Sequence, residues 1–305
     1  TLAGRMSSWK HSLFRLVDRS HQRFNDAVKD RWPWMSVWLY HRPRSRFLHY
    51  RFERALLAGR EFQVADRPSI LFFTTHKAAS MFVDRVLKRL GQAHGMLHAD
   101  LEGWFSTGPP KLWRLFKDPA AMKQLFRPRG IYYGALRSHR PIADLENYRV
   151  VLMLRDPRDM LTSYYFSEAF SHSPINQRVL ERRRKAAAQD INAFVLEHAP
   201  LHKAVYETYF REFDGRPEVL FTTYERMLAD RRAWLNEIVE HVGLTEHPGL
   251  VEDLLQEAAQ VKGTGSAHQH VRVARSGDHR DKLSPDTIAR LNDLFGQELL
   301  ERFRS

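Results

Sequence analysis

Lys77 stands in the turn Thr74-Thr75-His76-Lys77-Ala78-Ala79-Ser80, between a short apolar run (Ile70 to Phe73) and an amphipathic stretch. Small residues at a helix start leave backbone N–H groups without internal partners at the positive end of the helix dipole. A lysine among them adds a full charge, so the pattern describes an anion site suited to phosphate or sulfate. The turn is not the G-x-x-x-x-G-K-[ST] loop, because it has no glycine and its lysine precedes the small residues. On these residues alone an ordinary β–α connection fits equally well.

A second strand–turn–helix pattern follows at Val150 to Phe166, with Arg155 at the strand end and Ser163 eight residues on. A guanidinium there offers a planar fork of donors for a phosphate, and a hydroxyl inside the next helix adds one more. The same spacing also allows a structural Arg155–Asp159 pair with Ser163 filling a helix face. His139, in Arg137-Ser138-His139-Arg140-Pro141, carries an imidazole, a group that titrates near neutrality. In a chain with 16 histidines, one in such a setting is by itself more often structural. His268 and His270 lack a carboxylate or further ligand at metal spacing and read as loop histidines, so no metal site is expected.

These residues need elements to position them. Apolar runs at Ile70–Thr74, Ile131–Leu136, Val150–Leu154 and Val219–Thr223 alternate with longer helical segments. That alternation predicts an α/β domain with a mainly parallel, buried central sheet flanked by helices. In such sheets ligands bind at the carboxyl ends of the strands, where the polar clusters fall. A helix is expected from near Met160 to Ser173-Pro174, and the basic run Arg178 to Lys185 reads as a solvated helix face. Ser284-Pro285-Asp286 supplies an N-cap, an N1 proline and an acidic first turn, followed by a stripe of Ile288, Leu291, Phe295 and Leu299. Residues 1–66, rich in arginine and aromatics, form a helical N-terminal extension that packs on the main domain or contacts a partner or membrane surface. Residues 67–305 form that main domain.

With 305 residues, 43% hydrophobic, the chain has enough length for a large core. A net charge of +12 favours an anionic partner. The sequence has no cysteine, which excludes disulfides, thiolate metal sites and cysteine nucleophiles. No apolar run approaches the roughly 20 residues needed to span a bilayer. No signal-peptide pattern is present, a start at Thr1 suggests trimming, and a cytoplasmic location is expected.

Taken together the segments resemble the sulfotransferases that use 3′-phosphoadenosine 5′-phosphosulfate (PAPS). The phosphosulfate loop T-Y-P-K-S-G-T-T-W lines up with Thr74 to Phe82, and R-[ND]-x-[KR]-D-x-x-x-S-[YF] with Arg155 to Tyr164. K-T-H-L-P corresponds to Arg137 to Pro141, Y-E-D-[LM] to Tyr224 to Met227, and R-K-G-x-x-G-D-W-K to Arg272 to Arg280. The resemblance implies an α/β fold with a P-loop-like phosphosulfate turn, PAPS as co-substrate, and no metal. It assigns Lys77 to the bridging oxygen and sulfuryl group, and Ala78, Ala79, Ser80 and Met81 to the 5′-phosphate. Phe82 takes the place of a tryptophan on adenine, and Tyr224 approaches the base from another side. Arg155, Ser163 and Arg272 hold the 3′-phosphate, with Val273 and Ala274 giving backbone contacts. His139 is the implied general base and Arg137 an added charge beside the sulfuryl oxygens.

The departures are the alanine pair in place of Ser-Gly, Met81 for threonine, Val273-Ala274 for Lys-Gly, and His279 for tryptophan. Lys77, His139, Arg155 and Ser163 all remain, which implies an active, soluble, bacterial-type enzyme. The expected acceptor is a small molecule or a glycan, its pocket shaped by the segments Trp104 to Lys117 and Phe166 to Lys185. No nucleic acid is expected, and the oligomeric state is not written in the sequence. The rivals are a kinase-like nucleotide-binding protein, for which a Walker loop and magnesium carboxylate are missing, and a non-catalytic basic protein binding nucleic acid or a membrane surface.

Overall fold

The computed structural model describes residues 50–107, 110–171, 177–245, 247–259 and 275–304. Residues 1–49 of the extension predicted over 1–66, and the segment carrying His268, His270, Arg272, Val273 and Ala274, lie outside the described residues.

Among the described residues five strands form one sheet: β1 (Ser69–Thr74), β2 (Leu97–Ala99), β3 (Ile131–Leu136), β4 (Tyr148–Leu154) and β5 (Val219–Thr223). Their order is β2-β3-β1-β4-β5, and every pairing is parallel. All six residues of β1 are buried, as expected of a central strand covered on both faces. Side chains alternate between the faces: Leu71 and Phe73 join one core cluster, Ile70 and Phe72 the other. The sheet has the predicted character, with four strands as expected and one more. β2 has only three residues, Leu-His-Ala, too few to show an alternation.

The helices are α1 (Arg51–Leu57), α2 (Ser80–Ala93), α3 (Leu101–Thr107), α4 (Pro119–Leu125), α5 (Pro157–Phe166), α6 (Gln177–Ala187) and α7 (Ile191–Phe213), then α8 (Tyr224–Ala229), α9 (Arg231–His241), α10 (Pro248–Ala259), α11 (His279–Lys282), α12 (Pro285–Phe295) and α13 (Gln297–Glu301). In α2, Val83, Val86, Leu87 and Leu90 recur at helical spacing and are buried against one face of the sheet. In α5, Met160 and Leu161 are buried in the cluster on the other face. The two helices that leave the adjacent strands β1 and β4 therefore go to opposite faces. The strand ends between them are the topological switch point, the place where ligands bind in open α/β sheets.

Helix α5 starts at Pro157, three residues before the predicted Met160. Asp156 caps it by accepting from the Arg158 N–H at 2.9 Å, with proline at the first position. Its end continues as a π-turn over Ser167–Ser171. Helix α6 turns Arg182, Arg184 and Lys185 outward while Val179, Leu180 and Ala186 are buried, so its basic run is a solvated face. Ser284 caps α12 as predicted, accepting from the Thr287 N–H at 3.2 Å. Gly296 then separates the stripe into α12, with Leu291 and Phe295, and α13, with Leu299. In α1, Leu56 is fully buried in the main core cluster. Among the described residues no helix is long and apolar enough to cross a membrane.

Candidate active site

The turn after β1 is built on two residues in the left-handed region, Lys77 at φ 64° and Ala79 at φ 55°. Ala79 is the N-cap of α2 and makes no side-chain capping bond. The chain thus reverses without a glycine, and the first-turn N–H groups of α2 face outward from the strand end. Ala78 is fully buried beneath the turn, and Met81 is 53% exposed on its outer side. Phe82 stacks on Trp234 of α9, ring centroids 6.2 Å apart at 26°.

Arg155, at the end of β4, is where the pieces meet. Its side chain is 6% exposed; one guanidinium nitrogen donates to the Lys77 carbonyl at 3.2 Å, the other to the Arg275 carbonyl at 3.1 Å. The same group lies 4.3 Å above the Tyr224 ring, a favourable cation–π placement. Four segments far apart in sequence therefore converge: the Lys77 turn, the end of β4, the start of α8, and the loop before α11. Ser163 is half-buried, two turns into α5 on the face shared with Asp159. The structural Arg155–Asp159 pair is also present, at 3.8 Å.

Two tyrosines of α7 fix the strand ends from below. Tyr206 donates to the Arg155 carbonyl at 2.6 Å, and Tyr209 to the Thr74 carbonyl at 3.0 Å. Both are fully buried. Glu225 accepts from the Asp156 N–H at 3.1 Å, and burial pushes its carboxyl up to about 7. Asp156 also holds Arg158 through both side-chain oxygens, at 3.0 and 2.6 Å. None of Tyr206, Tyr209, Trp234 and Glu225 stands out as a site residue in sequence. Aromatics three apart on a helix read as core, and the carbonyls their hydroxyls reach cannot be seen without the fold.

Of the Arg137–Pro141 segment, Arg137 is the residue that reaches the turn, with a guanidinium nitrogen 3.9 Å from the Met81 sulfur. Its N–H is held by Glu102 at 3.1 Å. His139, two residues on, sits between Phe73 and Phe213, its ring centroid 6.4 and 5.5 Å from theirs. It opens on a cleft of about 390 Å³ lined by His139 to Glu146 on one side and by Glu212, Phe213 and Arg216 on the other. Burial, aided by Arg140, Arg211 and Arg216 and opposed by Glu212, lowers its pKa below the usual 6.5. The imidazole is therefore neutral at pH 7.

Above the turn stands a second group. The His76 ring is 5.8 Å from Tyr164, which meets His202 at 5.5 Å. Lys77 and Arg182 act on the buried Glu168 carboxyl, which burial raises above its usual range. The expected pocket segment Trp104 to Lys117 contributes Trp104 and Phe105 to the buried core, and Phe116 beneath the Arg140 guanidinium at 3.9 Å. Among the described residues no cluster of three or more metal-ligating side chains occurs.

The profile of the sulfotransferase domain family matches residues 7–303. The chain belongs to this family. Among solved structures it is similar to mouse sulfotransferase SULT7A1 complexed with PAP, at 15% identity and a TM-score of 0.51, over 81% of this chain and 93% of that one. It is also similar to retinol dehydratase in a complex with retinol and PAP, at 12% identity and a TM-score of 0.48, over 80% and 85% of the two chains. No match was found among curated proteins. At such identities the first likeness shows a shared fold, and it agrees with the sulfotransferase assignment made by the family profile.

Proposed function

We propose that this sulfotransferase moves a sulfuryl group from PAPS to the hydroxyl or amine of a small-molecule or glycan acceptor. The observation that carries this reading is the position of Arg155. Its guanidinium joins the Lys77 turn to the Arg275 loop over Tyr224, which supports reading the two segments and the ring as parts of one site at the strand end. That arrangement suits a nucleotide with phosphates at two positions, with Phe82 and Tyr224 as platforms for its base. PAP in the SULT7A1 complex supports the choice of nucleotide.

In this reading Lys77 and the backbone N–H groups of Ala78, Ala79, Ser80 and Met81 hold the 5′-phosphosulfate. Arg155, Ser163 and Arg272 hold the 3′-phosphate, with backbone contacts from Val273 and Ala274. Sulfuryl transfer, like phosphoryl transfer, is a loose in-line displacement governed by positioning and charge. The acceptor oxygen bonds to sulfur as the S–O bond to the nucleotide breaks, and the leaving electron pair stays on the nucleotide phosphate. Lys77 and the α2 dipole offset that growing charge, and Arg137 adds a cation beside the sulfuryl oxygens. No step in this scheme calls on a metal. His139 takes the acceptor proton, and its lowered pKa keeps it in the unprotonated form that the role requires.

The test is sulfuryl transfer from PAPS, read by mass gain across a panel of hydroxyl and amine acceptors. His139→Ala should lose roughly 10²–10⁴-fold in turnover, the usual worth of a general base, with adenosine 3′,5′-bisphosphate binding intact. The wild-type rate should stay level from pH 8 to 7 and fall only below the ordinary imidazole pKa of about 6.5. Undiminished turnover by the variant, or an acid limb above neutrality, contradicts the base assignment.

A further inference from the structure

Asp159 has no assigned contact with the nucleotide, yet its carboxylate accepts three hydrogen bonds from residues 277 and 279. Its side chain is fully buried, one helical turn after Arg155. One oxygen accepts from the His279 N–H at 2.9 Å and from His279 Nδ1 at 2.6 Å. The other accepts from the Gly277 N–H at 2.6 Å and faces the Arg155 guanidinium at 3.8 Å. Burial works against the charge, but the His279 bonds and Arg155 outweigh it and bring the carboxyl down to about 2. Because Asp159 is ionised, Nδ1 of His279 must carry the proton in their contact.

We infer that Asp159 and His279 are a positioning pair for the donor nucleotide, setting the Arg155 guanidinium and docking the C-terminal loop beside it. The inference rests on the nucleotide reading above. Residues 275, 277 and 279 are each tied to the β4–α5 connection: Arg275 through its carbonyl to Arg155 at the end of β4, Gly277 and His279 through their N–H groups to Asp159 in the first turn of α5. Gly277 sits at φ 83°, where a side chain is strained, so the loop is shaped to present its N–H to that carboxylate. Arg275 cannot substitute for the anchor, since its guanidinium is turned to Asp278 and Asp281. His279 is 2% exposed and stands where the family pattern has tryptophan. The imidazole Nδ1, next to the point where the ring joins Cβ, is the atom that meets Asp159. Neither residue needs to touch the nucleotide: they fix the groups that would.

The test is Asp159→Asn, His279→Leu and His279→Gln in the full chain. Binding of adenosine 3′,5′-bisphosphate is measured by calorimetry, the PAPS KM and kcat by turnover, and amide exchange at Gly277 and His279 by mass spectrometry. Asp159→Asn and His279→Leu should each weaken binding at least tenfold. The PAPS KM should rise in step, kcat should change less than threefold, and exchange at the two amides should quicken while β1 and β4 stay protected. His279→Gln, which retains a donor, should recover most of the affinity. Wild-type affinity in both Asp159→Asn and His279→Leu overturns the inference, as does a fall in kcat with KM unchanged. If Asp159→Asn fails to fold, His279→Leu against His279→Gln decides alone. Failure of the wild type to bind the bisphosphate would overturn the nucleotide reading itself, and the pair's role with it.

Discussion

Glu225 shows how one residue at the strand ends is held at a cost. Its folded pKa, near 7, lies above the usual carboxyl value of 4.5, with burial as the main cause. The ionised form is thus penalised in the fold, so stability from this group is present at low pH and fades as pH rises through about 7. Glu225→Gln keeps an acceptor for the Asp156 N–H and removes the charge. It should melt higher than wild type at pH 8, by on the order of 1–2 kcal/mol, with the gap closing by pH 5. Thermal melts across that range check this, and a gap independent of pH would show that burial of the charge is not its cause. The resemblance marks the segment Tyr224-Glu225-Arg226-Met227, but the bond from the Asp156 N–H to Glu225 and the burial of its carboxyl are not legible in sequence. Lys77 and Arg155 draw notice in the sequence only when the five motif segments are taken together, since each turn alone fits an ordinary β–α connection or a structural ion pair.

Among the elements, the β1–α2 turn is the part most dependent on backbone geometry. Ala79 occupies φ 55°, where an alanine is strained by roughly 1–2 kcal/mol and a glycine is not. The gain from Ala79→Gly is offset by the greater freedom of glycine in the unfolded chain, by about 0.4–1 kcal/mol. The net expectation is a variant as stable as wild type or up to about 1 kcal/mol more stable, with nucleotide binding retained. Ala79→Val should lose about 2 kcal/mol or more, since a β-branched residue is a genuine outlier there. Chemical denaturation checks both, and a destabilised glycine variant would contradict the strain argument. Four strands are readable in the sequence because each is a run of five residues or more that is mostly apolar, aromatic or β-branched. β2 is not, because it is a three-residue edge strand whose middle residue is a histidine. The start of α5 is ambiguous because Asp156-Pro157 can equally close a strand or cap a helix, and only the Arg158 N–H bond tells which.

For the molecule as a whole, the sheet is what turns separate segments into a site. Arg155 and the Arg275 carbonyl it bonds are 120 residues apart in sequence, and Arg155 and Lys77 are 78 apart. The order of such segments is visible in the sequence, and their convergence is a property of parallel strands ending at one edge with α2 and α5 on opposite faces. What sequence does not show is the support beneath that edge: Tyr206 and Tyr209 gripping two strand-end carbonyls, and Asp159 holding a loop more than a hundred residues away. Everything proposed for the enzyme depends on the Lys77 turn and Arg155 gripping a single nucleotide with phosphates at two positions. Calorimetric titration of the full chain and of Arg155→Ala with adenosine 3′,5′-bisphosphate, without magnesium, tests that grip. One saturable site per chain is expected, weakened by roughly 10- to 100-fold in the variant through loss of charge-assisted hydrogen bonds. No binding by the wild type, or equal binding by the variant, would contradict it.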